Sequence, residues 1–199
     1  MPHVLIINAV VSLIMGAALV LVWRRDRTQT FTRYIGWANL MQLLVPMGYW
    51  LTAQPHQALV AWGFVMLPLA AACYTTLLTL GAAHLAGQPA PPRAGWLIFL
   101  LLALTDAAAL ALGGLQAAQI CVGTINTLLG VLCAYWILKE RRATLAEKLV
   151  GPLLIALGLI QFIYVVYQDD GAALLATLGA LLRVTLGLVL LHAALERGG

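Results

Sequence analysis

The chain has 199 residues, of which 63% are hydrophobic and 9% charged, and its mean hydropathy is +0.96. This composition excludes a soluble globular domain and predicts an all-α integral membrane protein with the lipid bilayer as its surroundings. The formal net charge of +4 sits in short basic runs between apolar segments, which indicates membrane loops and excludes nucleic acid as a partner.

Seven apolar segments are long enough, at about 1.5 Å per residue, to cross about 30 Å of hydrocarbon. In the first segment the basic residues Arg24 and Arg25 follow the apolar run, which predicts a retained helix instead of a cleaved signal peptide. A single transmembrane domain, a seven-helix bundle, is expected over residues 1–199. Its helices are expected at 4–23, 34–52, 59–85, 95–112, 116–138, 148–167 and 172–193.

Three prolines fall within these helices or at their starts. They are Pro46, Pro68 and Pro152. Because proline removes a backbone donor and crowds the preceding turn, each is expected to mark a kink or an unwound turn.

Basic residues mark alternate connections along the chain. Lys and Arg follow the first, third, fifth and seventh expected helices, and neither occurs in the other three connections. The positive-inside rule then predicts an N-terminus outside and a C-terminus in the cytoplasm. The connections without Lys or Arg are 53–58, 113–115 and 168–171, the last of which contains Asp169 and Asp170.

A weak internal repeat relates the two ends of the sequence. The first expected helix ends in LVLVWRRDR (19–27) and the fifth in LCAYWILKERR (132–142). The third closes on histidine in GAAHLAG (81–87), and the seventh does so in LHAALER (191–197). One interpretation is a 3+1+3 arrangement, with a linking fourth helix between two parallel sets of three, and the other is shared composition.

Six of the seven expected helices place a polar group at a similar depth, about 15 to 20 Å from the cytoplasmic face at the helical rise. Asp106 and Arg183 are the one pair of opposite charges among them, and we expect them to meet directly or through one bridging group. Such a layer either holds the bundle together or forms a pocket for a polar head group, with Leu, Met and Phe around an apolar tail. The six groups are Ser12, Tyr74, Asp106, Asn126, Gln161 and Arg183.

Few other residues could bind a metal or a cofactor. His84 and His192 take matching places near the cytoplasmic ends of the third and seventh helices, where two imidazoles could ligate a haem iron. The alternative is that they are interfacial histidines without a cofactor, and no cofactor is predicted. Cys73, Cys121 and Cys133 show no CxxC spacing, so no metal site is expected. No catalytic motif occurs, so the chain itself is not expected to be an enzyme.

Three stretches carry a family resemblance: LVWRRDR (21–27), RYIGWANLMQLLVPMGYWLTAQP (33–55) and GAAHLAGQPAPPR (81–93). With the short outside N-terminus, they resemble the N-terminal membrane region of bacterial GGDEF-type diguanylate cyclases. The resemblance covers nearly the whole chain and implies a sensor of the bacterial inner membrane. In that family the last membrane helix continues into a cytoplasmic cyclase that makes cyclic di-GMP. No GGDEF sequence occurs in this chain, so cyclase activity would lie outside it.

These patterns together favour a sensory domain. We expect it to bind a small, amphipathic or lipid-like ligand, to form a homodimer, and to pass the signal through the seventh helix to a cytoplasmic output domain. Arg183 is the expected coupling residue, because its side chain could exchange between Asp106 and the ligand. Alternative functions are a small-solute transporter with a midplane polar site and an assembly domain without a ligand.

Overall fold

A computed structural model of the chain describes residues 2–140, 143–166 and 172–198. In this part of the chain every regular element is an α-helix, which confirms the predicted all-α class. The predicted connection 168–171, with Asp169 and Asp170, and the basic residues Arg141 and Arg142 lie outside the described residues. The helices are α1 (Pro2–Arg25), α2 (Thr30–Met41), α3 (Leu44–Thr52), α4 (Gln57–Leu85), α5 (Pro92–Lys139), α6 (Leu145–Val166) and α7 (Ala172–Gly198).

Five of these helices, α1, α4, α5, α6 and α7, are long and apolar enough to cross a membrane. A transmembrane protein is the class that they define. The apolar part of α5 covers 47 residues. A straight helix of that length would extend about 70 Å, more than twice the thickness of the hydrocarbon core.

Helix α5 is interrupted at Gly114, whose backbone (φ 70°, ψ −166°) is a conformation open mainly to glycine. Asp106 and Cys121, which lie at similar distances on either side of Gly114, are hydrogen-bonded through their side chains. Two residues so far apart on one rod could not meet, so the two halves of α5 (92–113 and 115–139) run antiparallel beside each other. Their bounds agree with the predicted fourth and fifth helices.

The predicted second helix, 34–52, is divided between α2 and α3, with the break at Gln42 and Leu43. Pro46 lies four residues after Gln42, so its ring disturbs the turn that ends in the Gln42 carbonyl. The expected unwound turn at Pro46 is therefore present. Both segments pack along α4 in the same direction, because Ile35 contacts Gly81 and Gly48 approaches Gly63.

Helix α6 begins at Leu145, three residues before the predicted start. The cause is a reciprocal capping box, in which the Glu147 amide donates to the Thr144 hydroxyl (3.3 Å) and the Thr144 amide donates to the Glu147 carboxylate (2.8 Å). Helix α7 also extends beyond its predicted end, 193, to Gly198. Both extensions carry the helices past the apolar segments from which they were predicted.

The helices form a closed ring. Each packs against a neighbour along the chain, and α7 packs back against α1. We call the side where α1, α4, α5, α6 and α7 meet their basic flanks the basic end, and the opposite side, with Gly114, the far end. The main hydrophobic core lies within about twelve residues of the basic end of its helices. It includes Leu19, Phe31, Ile35, Leu85, Ile137, Val150, Leu157, Leu186 and Leu190.

The second half of α5 and helix α6 are in close backbone contact. Two glycines on each helix, spaced by seven residues, face the partner: Gly123 and Gly130 on α5, and Gly151 and Gly158 on α6. A Cβ added at Gly158 would lie 2.7 Å from the Thr127 Cα, which is closer than carbon atoms can pack. Small residues of this kind allow membrane helices to gain van der Waals contact over their whole length.

The Gly158→Ala variant should lower stability by about 1–3 kcal/mol, because the added methyl group has to push the two backbones apart. Thermal unfolding of the detergent-solubilised protein, followed by circular dichroism, measures the effect. Gly179→Ala is the matched control, since its Cβ would make an ordinary 3.6 Å contact with Ile160. Equal melting temperatures for the two variants would contradict close packing at Gly158.

Candidate functional site

A row of polar side chains crosses the interior from α4 through α5 to α6. The Thr75 hydroxyl donates to the Asn126 side-chain oxygen (2.6 Å), and the Asn126 amide donates to the Gln161 side-chain oxygen (2.7 Å). The predicted neighbours Asn126 and Gln161 are thus brought together. Thr75, buried beside Tyr74, is a member that sequence reasoning missed, because threonines of transmembrane helices usually bond to their own backbone.

Beside this row lies a cavity of about 20 Å³. This volume is enough for about one water molecule and too small for the head group of an amphipathic ligand. A larger molecule could enter only if the surrounding helices separated. The cavity is lined by Tyr74, Thr75, Asn126 and Gln161 and by apolar side chains that include Leu78, Leu129, Leu154 and Leu157.

Arg183 lies on the buried face of α7, between Ala180 and Leu186, yet its own side chain is only half-buried. Its Nη1 donates to the side-chain oxygen of Asn8 on α1 (3.2 Å). The guanidinium also interacts electrostatically with Tyr74, which lines the cavity. Arg183 therefore stands at the edge of the same polar interior, on the side of α1.

Asp106 and Arg183, which were predicted to meet directly or through one bridging group, form no ion pair among the described residues. Asp106 is 3% exposed and its carboxyl group contacts the Cys121 thiol. The reason is the position of the first half of α5, which packs against α4 through Gly95 and against its own second half, away from α7. Matched depth placed both charges near one plane, but it did not determine the direction in which each helix faces.

Ser12, the remaining predicted member, is fully buried on α1. Its hydroxyl oxygen has no hydrogen-bond partner among the described residues. Asn8, Ser12, Met15 and Leu19 share one face of α1 by their spacing, and Met15 contacts Gly187 of α7. Ser12 consequently lies on the α1 face that is turned toward α7, about one turn from the Asn8 contact with Arg183.

The two histidines have separate surroundings. The His84 ring stacks on Tyr34 with 5.1 Å between ring centroids. His192 is mostly exposed, with its Nε2 3.4 Å from a carboxylate oxygen of Glu196. In the described part of the chain no group of three or more metal-ligating side chains is found. Haem ligation by His84 and His192 stays an untested alternative.

At the basic end, Arg197 of α7 is bound to two other helices. Its Nε donates to the carboxylate of Glu147, whose side chain is 3% exposed, and its Nη2 donates to the Leu85 carbonyl at the end of α4 (2.7 Å). The guanidinium also lies over the ring of Phe31 on α2, 5.4 Å from its centroid. This arrangement was not predicted, since Arg197 reads in sequence as an ordinary loop cation.

A second contact holds the same end of α7. The Gln29 side-chain amide, in the loop between α1 and α2, donates to the Ala194 carbonyl (2.7 Å). Gln29 is oriented by Asp26 (3.0 Å), and hydrogen bonds from Thr28, then from Gln29, hold the pKa of Asp26 below its usual value. We call the contacts of Gln29, Leu85 and Glu147 with α7 the α7 clamp.

Comparisons with protein families, curated proteins and solved structures found no match to this chain. The resemblance to GGDEF-type sensor regions therefore stays a prediction.

Glu147→Ala and Arg197→Ala should each lower stability by about 1–3 kcal/mol, because each leaves the partner group without its main bond. The double variant should lose less than the sum of the two, which a double-mutant cycle of detergent melting curves measures. Glu196→Ala is the control, since this neighbouring carboxylate pairs only with the exposed His192 in the described part of the chain. Strictly additive losses would show that the contact between Glu147 and Arg197 does not contribute to stability.

Proposed function

We propose that the chain is a membrane-embedded sensory domain, in which a small molecule that reaches the polar interior shifts α7 against its clamp. One observation supports this most directly. Helix α7 carries Arg183 in the polar interior and Ala194 and Arg197 in the clamp. The residue placed to sense and the residues that hold the end of the helix therefore belong to one rigid element.

Helix α7 is held by more contacts at its basic end than at Arg183, which lies near its middle. Arg183 makes one side-chain hydrogen bond, to Asn8, whereas the basic end of α7 is held by Glu147, Leu85 and Gln29. A ligand shifts such an equilibrium only by its different affinity for the two positions of α7. Arg183 and Arg197 are separated by about 21 Å of helix, so a small rotation or slide at one is carried to the other.

The membrane arrangement that we propose has seven crossings. Helices α1, α4, α6 and α7 each cross once, the two halves of α5 cross separately, and α2 with α3 makes one interrupted crossing. The basic end then faces the cytoplasm by the positive-inside rule, in the inner membrane of a bacterium. A 3+1+3 relation between the first and last three crossings remains part of this proposal.

The output in this proposal is a cytoplasmic domain connected to the end of α7. The resemblance to GGDEF-type regions points to a diguanylate cyclase and to cyclic di-GMP. In the two-fold homodimer that we propose, the commonest symmetry of protein assemblies, two copies of α7 would leave the membrane side by side. Release of the clamp would change the spacing of the two helix ends.

The proposed orientation is tested by labelling single cysteines placed at His56 and Gln88, both exposed, in a variant without the three native cysteines. We expect an impermeant maleimide to modify His56→Cys in spheroplasts and to modify Gln88→Cys only after lysis. The reverse pattern would place the basic end outside.

The signalling role is tested by fusing a dimer-dependent cyclase after Arg197 and weakening the clamp without any ligand. Glu147→Gln removes the charge that binds Arg197 but keeps an acceptor for the Thr144 amide. We expect it to change reporter output severalfold at equal membrane abundance, with Glu196→Gln, outside the clamp, as the control. An unchanged reporter output would overturn the proposal. If liposomes that contain the protein also take up a solute, the transporter function would be favoured instead.

A further inference from the structure

Arg183 carries a charge that no acidic side chain in the described part of the chain balances. The ion pairs there are Arg197 with Glu147 and His192 with Glu196. The neutral amide of Asn8 is the single hydrogen-bond acceptor that Arg183 has among the described residues, and its Nε has none. A guanidinium stays charged at every accessible pH, and such a charge between apolar helices is costly unless an anion accompanies it.

A second unpartnered group lies near this charge. The Ser12 hydroxyl is 0% exposed and has no partner in the described residues, and it sits on the α1 face that contacts α7. Tyr74 of α4, which lines the neighbouring cavity, interacts electrostatically with Arg183. One cation and two neutral hydroxyl donors suit a group with a single negative charge and two acceptor atoms. A dianionic phosphate would leave part of its charge unbalanced.

The position of the site indicates how a ligand would reach it. Arg183 is half-buried although α7 residues on either side, Ala180 and Leu186, are buried. In the described helices the main hydrophobic core is concentrated toward the basic end, and Arg183 lies just beyond it on α7. The surface around the far half of α1, including Ile6, Ile7 and Val10, is apolar and exposed. An apolar tail would be covered by that surface and by lipid.

We propose that Arg183, Ser12 and Tyr74 form a carboxylate site, and that its ligand is a carboxylic acid with an apolar chain, of the fatty-acid class. Arg183 binds the carboxylate in place of Asn8 or together with it. Ser12 and Tyr74 donate to its oxygens once the helices around the cavity have separated, and the chain follows α1 into the bilayer. The inference deepens the proposed function and rests on it for the consequence of binding, but the binding itself is measured independently.

The experiment uses the full chain in detergent at pH 8, where a fatty acid in solution is ionised, and follows saturable binding of radiolabelled dodecanoate. Unlabelled dodecanoate should displace the label, whereas dodecanol, with the same chain and no charge, should not. Arg183→Gln should weaken binding by roughly tenfold or more, with Arg183→Lys between it and the wild type. Ser12→Ala should weaken binding less than Arg183→Gln. Arg93→Gln, a change at an exposed cation of the basic end, should bind like the wild type.

If acetate displaces the label at concentrations similar to those of dodecanoate, the ligand would be a water-soluble carboxylic acid, and the carboxylate site itself would stand. Equal displacement by dodecanol and dodecanoate would overturn the proposal, as would full binding to Arg183→Gln. If Arg183→Gln does not fold, the comparison of dodecanol with dodecanoate on the wild type decides alone. Dodecanoate binding without a change in the fused reporter would defeat the sensory function and leave the site standing. If the reporter responds to Glu147→Gln but the protein binds no carboxylate, the carboxylate site would be defeated and the sensory function would stand.

Discussion

Polar side chains in an apolar bundle have no water to bind, so each needs a partner within the protein, on its own backbone or on another helix. In this protein that constraint links almost every element of the ring. Thr75, Asn126 and Gln161 join α4, α5 and α6, and Asn8 and Arg183 join α1 and α7. Two buried polar atoms at the contact between α1 and α7, Arg183 Nε and Ser12 Oγ, have no hydrogen-bond partner among the described residues.

Packing is distributed unevenly along the same ring. Glycines bring the second half of α5 and α6 to backbone contact along their length, and the large apolar core fills the basic end. Helix α7 contributes Leu186, Leu190 and Ala194 to that core and also packs against α1, with its polar contacts at two separate levels. The proposed function requires α7 to change position as a unit while α4, α5 and α6 keep their arrangement.

The sequence predicted the features that depend on local patterns. Apolar length predicted the helices and the short connection 113–115, which contains the turn at Gly114, and Pro46 predicted the break between α2 and α3. The capping box of Thr144 and Glu147 is a local pattern as well, since it stands in the sequence as T-x-x-E. The rotation of each helix about its axis could not be predicted, because depth along a helix does not determine which neighbour a side chain faces. Asp106 was therefore assigned the wrong partner. The clamp was also beyond reach, since Gln29 and Ala194 are 165 positions apart and Arg197 binds a backbone carbonyl 112 positions away.

The turn at Gly114 has a consequence for the assembly of the protein in a membrane. Asp106 obtains its neighbour, the Cys121 thiol, from the chain that follows the turn. If residues 92–113 entered the bilayer alone, this carboxyl group would face lipid with no partner, and a turn of one or two residues could not keep the following segment in the aqueous phase for long. The two halves of α5 are thus suited to insertion as a preformed hairpin. In such a hairpin the second half of α5 covers the Asp106 carboxyl group before lipid reaches it. The turn at Gly114 thus determines that the two halves enter the membrane together.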